Sequence, residues 1–300
     1  MNTREIGFRS NRVADVLLRC REVLRPLYGE GEAEAMTELL FEAFLGWDKV
    51  RLLTSKASTI DQSDLLRFHW ALEDLKRHRP VQHIVGHVDF CDCKVAVGPE
   101  VLIPRPETEE MVEWLIHRLA AARPPRSVLD LCTGSGCIAL SLKKAFPTAE
   151  VVAVDISAEA LAVARRNAEV NGLKVEFIQA DVLATDCPLP MKDFTVIVSN
   201  PPYVRDSERG QMQRNVLDYE PAQALFVPDA DPLRFYHAVA RIAQQRLAPS
   251  GLLAVEINEA LAAETGEAMK AAGFSPTAFK DFRGKDRWIA ATASPHELGA

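Results

Sequence analysis

The stretch that most constrains this 300-residue chain is a strand, a glycine loop and a helix written without interruption. Ser127-Val128-Leu129-Asp130-Leu131 is a short apolar run, Cys132-Thr133-Gly134-Ser135-Gly136 a turn, and Cys137 to Lys144 a helix. An apolar strand of this kind needs cover on both faces, which parallel sheets receive from crossover helices. The pattern then repeats. Val151-Val152-Ala153-Val154 ends on Asp155, a helix spans Ala158 to Asn171, and a third strand, Val175 to Gln179, is followed by Asp181. Phe194 to Val198 leads into Ser199-Asn200-Pro201-Pro202-Tyr203. Alternating strands and helices argue for an open α/β sheet, and such sheets place ligands at the carboxyl ends of their strands. Four successive strand ends carry Gly-x-Gly, Asp, Asp and Asn, and the series points to one site although each acid alone is more often a cap or turn residue.

The residue types suggest the chemistry. An acid about 20 positions beyond the glycines suits a ribose diol, which assigns Asp155, and a carboxylate at Asp181 suits an adenine amino group. Pro201 and Pro202 fix φ and lack N–H donors, so the turn after Asn200 is rigid and offers acceptors only. A primary amide or amine fits such a site, with one N–H to the Asn200 side-chain oxygen and one to the Pro201 carbonyl. The nitrogen becomes positive as it attacks, and acceptor dipoles aimed at that charge act as the mirror image of an oxyanion hole. Taken alone, Asn-Pro-Pro-Tyr is an ordinary turn; the upstream strand ends favour the chemical reading.

Elsewhere the chain is that of a folded globular protein, 48% hydrophobic and 26% charged. A formal charge of −7 argues against direct nucleic-acid binding by phosphate neutralisation. No run approaches the roughly 20 apolar residues of a membrane span, and Met1 to Glu5 has no apolar segment behind it, so a cytoplasmic location is expected. Six cysteines at 20, 91, 93, 132, 137 and 187 form no CxxC pair, which predicts reduced thiols. His83 and His87 have helical metal spacing, but Gly86 lies between them and no helix pattern surrounds them; no metal site is expected.

Residues 12–28, 31–45 and 61–79 carry apolar positions at helical spacing, the last through Leu65, Phe68, Trp70, Leu72 and Leu75. Up to residue 85, 13 Lys and Arg balance 13 Asp and Glu. Pro80 breaks the third helix, and Val81 to Leu102 has β character with turn formers Gly86, Asp92 and Gly98. The expected organisation is a helical domain over 1–80, a β-hairpin linker over 81–104 and a larger domain over 105–300. Glu107, Glu109 and Glu110 suit the first turn of a helix from Met111 to Ala121. Arg105, held between Pro104 and Pro106, points toward a site or pins the linker. Past the fourth strand come helices over 234–247 and 260–272, a strand over 252–257, and two strands, 277–280 and 288–291, around Arg283-Gly284-Lys285-Asp286.

The glycine loop and the acids resemble the class I S-adenosylmethionine methyltransferases. The third glycine of a dinucleotide-binding Gly-x-Gly-x-x-Gly is missing, with Leu140 or its neighbours in that region, and a ligand without phosphates needs no phosphate cradle. Ile103-Pro104-Arg105-Pro106-Glu107-Thr108-Glu109, the 130–136 loop, Asn200-Pro201-Pro202-Tyr203 and Tyr219-Glu220-Pro221-Ala222-Gln223-Ala224-Leu225 together resemble the peptide chain release factor glutamine N5-methyltransferases, the HemK or PrmC family. The resemblance covers essentially the whole chain, and Pro-Arg-Pro-Glu-Thr-Glu separates it from the DNA adenine enzymes that share Asn-Pro-Pro-Tyr. It implies a Rossmann-like, seven-stranded sheet with a small N-terminal helical domain that recognises the substrate protein. It also implies transfer of a methyl group from S-adenosylmethionine to the glutamine amide of the Gly-Gly-Gln motif in release factors, by a monomeric enzyme. The cofactor would lie against Cys132, Thr133, Gly134, Ser135, Gly136, Asp155, Asp181, Val182 and Asn200. The glutamine would lie against Asn200, Pro201, Pro202, Tyr203 and Arg105, with Asn200 and Pro201 catalytic.

Cys132 and Cys137 stand where the family usually has Gly and Ala, a form shared with the ribosomal-protein glutamine methyltransferases. Asn258 stands where Gly is usual, and Val227 to Ala230 lacks the family's glycines. The alternatives are therefore a ribosomal-protein glutamine as acceptor, then adenine N6 methylation, or a cofactor-binding module without turnover.

Overall fold

Helical periodicity builds the first part of the computed structural model, which describes residues 3, 5–190 and 193–293. One compact unit comprises Met1–Gly86 and Gln213–Tyr219, and a second comprises His87–Met212 and Glu220–Ala300. In the first, α1 (Val13–Tyr28), α2 (Glu30–Leu45), α3 (Lys49–Thr54), α4 (Gln62–Leu75) and α5 (Val81–Val85) follow one another. Val13, Val16, Cys20 and Leu24 of α1 are buried with Leu40 and Phe41 of α2 and with Leu65, Phe68, Leu72 and Leu75 of α4. These positions recur every three or four residues, so each helix turns one stripe inward. Trp70 lies off that stripe and is 60% exposed, not the core position its spacing suggested.

Val81–Val85 is helical despite two β-branched valines and an isoleucine. Pro80 serves as its N-cap residue, and Gly86 ends it in the left-handed region at φ 87°. Strand character starts only at His87, so the hairpin is shorter than 81–104. His83 is therefore a buried helical residue, whereas His87 opens a strand.

The second unit begins with β1 (His87–Phe90) and β2 (Cys93–Ala96), paired antiparallel across Cys91-Asp92. Both turn residues have positive φ, 43° and 64°, as a two-residue turn matched to strand twist requires. Next come α6 (Pro106–Ala122), β3 (Ser127–Leu131), α7 (Cys137–Ala145), β4 (Glu150–Asp155), α8 (Ala158–Val170), β5 (Glu176–Gln179), β6 (Phe194–Ser199) and the two-residue β7 (Val204–Arg205). The single turn α9 (Arg214–Leu217) belongs to the first unit, where the Tyr219 hydroxyl donates to the Arg77 carbonyl at 2.9 Å. The chain continues through β8 (Phe226–Val227), α10 (Arg234–Arg246), β9 (Leu247–Glu256), α11 (Ala262–Ala271), β10 (Ser275–Lys280) and β11 (Asp286–Thr292).

Seven strands form one sheet in the order β10-β11-β9-β6-β3-β4-β5. Strands β5, β4, β3, β6 and β9 run parallel, and β11 is antiparallel to both β9 and β10. Alternate side chains of the central strands face opposite layers. Val128, Val196, Val198 and Ala254 pack with Met111 and Leu115 of α6 and Ile138 of α7. Leu129, Ile197, Leu253 and Val255 pack with Tyr236 and Val239 of α10 and Met269 of α11.

The order steps from β3 outward to β4 and β5, then returns across β3 to β6 and β9. This reversal opens a crevice at the carboxyl ends of β3 and β6, where open α/β sheets hold ligands. Among the described residues, no helix is long and apolar enough to cross a membrane.

Candidate active site at the strand carboxyl ends

Sheet register sets the site. Leu131 is paired with Val154 and with Ser199, and Ser199 with Val255. The next residue on each strand is Cys132, Asp155, Asn200 and Glu256, so four polar side chains stand at one level of the sheet.

The loop after β3 makes three left-handed excursions in five residues, at Cys132 (φ 61°), Gly134 (φ 54°) and Gly136 (φ 82°). Glycine adopts that region freely; Cys132 bears a Cβ penalty of about 1–2 kcal/mol there, which explains why glycine would be the easier residue. At Gly136 space also decides, because a Cβ would lie 3.1 Å from the Ala164 Cβ on α8. A Cβ at Gly134 would meet nothing within 4 Å, so this backbone edge faces open space.

The acids hold the loop. The Asp155 carboxylate accepts from the Gly134 amide at 2.8 Å and the Ser157 amide at 2.9 Å, and burial holds it above the usual carboxylate range. Buried Asp130 accepts from the Thr133 hydroxyl at 2.6 Å and the Ala139 amide at 3.2 Å. Burial raises its pKa to about 7, against the lowering effect of those bonds and with a further push from Asp155. Asp181 accepts from the Leu183 amide at 2.8 Å.

Asp155 and Asp181 line a cavity of about 200 Å³, whereas Asp130 is buried behind it. Cys132, Thr133, Gly134, Ser135, Asp155, Asp181, Val182, Asn200 and Pro202 are all on its wall. Gly136, Pro201, Tyr203 and Arg105 are not. Glu100 joins Asp155 and Asp181, and among the described residues no Lys, Arg or His lines the cavity. Such a wall repels phosphates and favours a neutral or cationic ligand. S-adenosylmethionine, with a sulfonium and an ammonium group and no phosphate, fits that donor set.

Asn200 donates through Nδ2 to the Thr108 hydroxyl at 3.1 Å, and among the described residues its Oδ1 accepts no hydrogen bond. The Tyr203 hydroxyl donates to Glu256 Oε1 at 2.9 Å, and the Thr108 hydroxyl donates to Glu256 Oε2 at 2.6 Å. Arg105 meets Glu220 at 2.6 Å, and Glu220 also accepts from the Ile103 amide at 3.0 Å. Two segments that line the cavity, one with Val101, Leu102 and Pro104 and one with Pro221, Gln223 and Ala224, are thereby tied together. The sequence assigns no role to Thr108, Glu256 or Glu100: pairing of β9 with β6 brings Glu256 beside Asn200, α6 carries Thr108, and Glu100 lies on the turn between β2 and α6.

The three acids of the α6 amino end have tertiary partners besides the helix dipole. Glu107 faces Arg283 at 3.7 Å, Glu109 accepts from the Cys91 amide at 2.7 Å and Glu110 from the Phe282 amide at 3.0 Å. Cys91, Glu109 and Glu113 bring their ligand atoms within 4.8 Å of one another. Burial and those carboxylates push the Cys91 thiol up to about 12.

A methyltransferase small domain matches residues 108–222, and a PrmC N-terminal domain matches residues 15–86. The sheet is similar to that of a methyltransferase from Pyrococcus furiosus, with a TM-score of 0.50 and 21% identity over 67% of this chain and 89% of that one. Fold and domain match define an S-adenosylmethionine-dependent methyltransferase. The release factor glutamine methyltransferase of Flavobacterium psychrophilum is 40% identical over 271 residues, 89% of this chain and 94% of that protein. That of Bacteroides thetaiotaomicron is 39% identical over 272 residues, 90% and 96% of the two. The chain belongs to the release factor glutamine methyltransferase family.

Proposed function

We propose that this protein transfers a methyl group from S-adenosylmethionine to the side-chain amide nitrogen of the glutamine in the Gly-Gly-Gln motif of peptide chain release factors. The supporting observation is Asn200. Its Nδ2 is engaged by Thr108, so its Oδ1 is presented as an acceptor on the wall of an acidic cavity.

Bound S-adenosylmethionine supplies an electrophilic methyl on a sulfonium sulfur. Around it, the 132–136 loop gives backbone contacts, Asp155 has acceptor capacity left for ribose hydroxyls, and Asp181 with Val182 would hold the adenine. Asn200 Oδ1 and the Pro201 carbonyl take the two N–H groups of the glutamine amide, and Pro202 and Tyr203 shape its pocket.

An amide nitrogen is a weak nucleophile because its lone pair is delocalised. Holding both N–H groups aims the nitrogen in line with the methyl and excludes unproductive orientations. Positive charge then grows on the nitrogen facing two fixed acceptor dipoles, which stabilise it more than they stabilise the neutral amide. The N–C bond would form as the methyl–sulfur bond breaks, the sulfur leaving as a neutral thioether with the bonding pair, and the nitrogen then gives one proton to water, so no dedicated base is needed. Arg105 acts at a distance from this chemistry, through Glu220. The helical residues 1–80 are assigned to recognition of the protein substrate, and the enzyme to the cytoplasm as a monomer.

The test is Asn200→Ala with purified release factor as acceptor. Cofactor binding is expected to persist while kcat falls about 10²- to 10³-fold, the usual cost of a lost charge-stabilising group. Near-normal turnover in the variant removes Asn200 from the mechanism, and a wild-type enzyme that leaves release factor unmethylated removes the acceptor.

A further inference from the structure

We propose that Thr108 and Glu256 are positioning residues for methyl transfer: the buried chain Tyr203–Glu256–Thr108–Asn200 fixes which end of the Asn200 amide faces the cavity. The inference rests on the role proposed above for Asn200.

A carboxamide has an oxygen and an NH2 of nearly the same shape, and only the oxygen can hold an amide N–H of the substrate. Rotating the group by half a turn would present two donors to another donor. Something must therefore retain Nδ2, and the donor and acceptor inventory shows what does. Glu256 is 1% exposed, at the end of β9 beside Asn200, and a carboxylate can only accept. Its Oε1 takes the Tyr203 proton at 2.9 Å and its Oε2 takes the Thr108 proton at 2.6 Å. The Thr108 hydroxyl has no second proton, so toward Asn200 it can only accept. At 3.1 Å the group it faces must be the NH2.

Polarity thus passes from an ionised carboxylate, through one hydroxyl, to the amide. Protonating Glu256 would let it donate to Thr108, free the Thr108 proton and allow the reversed amide. Burial already holds Glu256 above the usual carboxylate range, and Glu107 on α6 pushes the same way. The Thr108 and Tyr203 hydrogen bonds and Arg287 on β11 oppose them. Tyr236 on α10 lies nearby, its hydroxyl accepting from the Asn258 amide. Tyr203 remains a donor throughout, since burial and the Glu256 charge hold its phenol well above the ordinary value.

The experiment uses full-length enzyme and measures kcat, KM for release factor and cofactor affinity. Thr108→Val keeps the shape and removes the oxygen; kcat is expected to fall about 10- to 100-fold with cofactor affinity retained. Thr108→Ser restores the oxygen and should recover most of the rate. In an Asn200→Ala background Thr108→Val should add nothing, because the group it positions is gone. The wild type should show an acid-side decline in kcat above the ordinary Glu range, and Glu256→Gln should lower kcat and remove that decline.

Wild-type kcat in Thr108→Val, equal impairment of the Ser and Val variants, or additive losses in the double variant would each overturn the relay. Loss of cofactor binding in Thr108→Val would do so as well, by assigning Thr108 a structural role. An active Asn200→Ala enzyme overturns the relay together with the proposed mechanism. An inactive Asn200→Ala beside a normal Thr108→Val overturns the relay alone.

Discussion

Removing the Arg105 guanidinium separates two readings of that residue, as a substrate contact or as a clasp on the cavity wall. Glu220 has a side chain 1% exposed, and it accepts from Arg105 at 2.6 Å and from the Ile103 amide at 3.0 Å. Breaking a buried ion pair by deleting one partner costs about 3–5 kcal/mol, chiefly from the carboxylate left behind. Arg105 is 31% exposed, so water can enter where it leaves, and the cost falls below that range to about 2 kcal/mol. In a chain of this size such a loss lowers Tm by about 3 °C. The cost should also appear in ligand affinity, because the clasp joins the segment carrying Val101, Leu102 and Pro104 to that carrying Pro221, Gln223 and Ala224. With about half of it spent separating those walls, S-adenosylmethionine should bind roughly fivefold more weakly to Arg105→Ala. Calorimetric titration of the cofactor, with thermal unfolding alongside, measures both quantities. Unchanged Tm and cofactor affinity, with loss confined to KM for release factor, would refute the clasp and make Arg105 a substrate contact.

Other outcomes follow from single residues. Gly136→Ala should destabilise by about 1–3 kcal/mol in urea titration, since a residue with a Cβ is strained at φ 82° and the Cβ would crowd Ala164 at 3.1 Å. For Asp130, the folded pKa of about 7 lies above the unfolded value of about 3.9, so the native state holds an extra proton between them. Its contribution to stability is present below the lower value and is lost as pH rises through the upper one, on the order of 4 kcal/mol. Urea titrations from pH 4 to 8 should show that slope in the wild type and a flatter one in Asp130→Asn; the reverse slope would contradict the burial argument. All six thiols are pushed above their ordinary value by burial, so the native protein should react slowly with a thiol reagent at mildly alkaline pH and release all six on unfolding. One fast-reacting thiol in the folded protein would contradict this.

The parallel strands were legible because each is a near-continuous apolar run ending on a residue with a distinct job. That signal is local, and the structure places Cys132, Asp155, Asn200 and Asp181 at or just beyond the strand ends. What escaped the sequence is mostly non-local. Thr108 meets Glu256 across 148 positions and Arg105 meets Glu220 across 115, contacts that no spacing rule reveals. Gln213–Tyr219 joins the first unit for the same reason. The branched residues of Val81–Val85 have β character, but Pro80 and Gly86 bracket the segment as a helical turn. Strand β9 begins at Leu247, which pairs with Phe194, and not at 252; Ala248-Pro249-Ser250-Gly251 carries no strand pattern of its own, so only the pairing shows the early start.

The most direct measurement is mass-spectrometric mapping of methyl groups transferred from isotopically labelled S-adenosylmethionine, with release factor, ribosomal proteins and duplex DNA offered in parallel to the wild-type enzyme. Label on the side-chain amide of the Gly-Gly-Gln glutamine of release factor, and none on the other two, is the expected result. Label on a ribosomal protein or on adenine, with release factor unmodified, would contradict it.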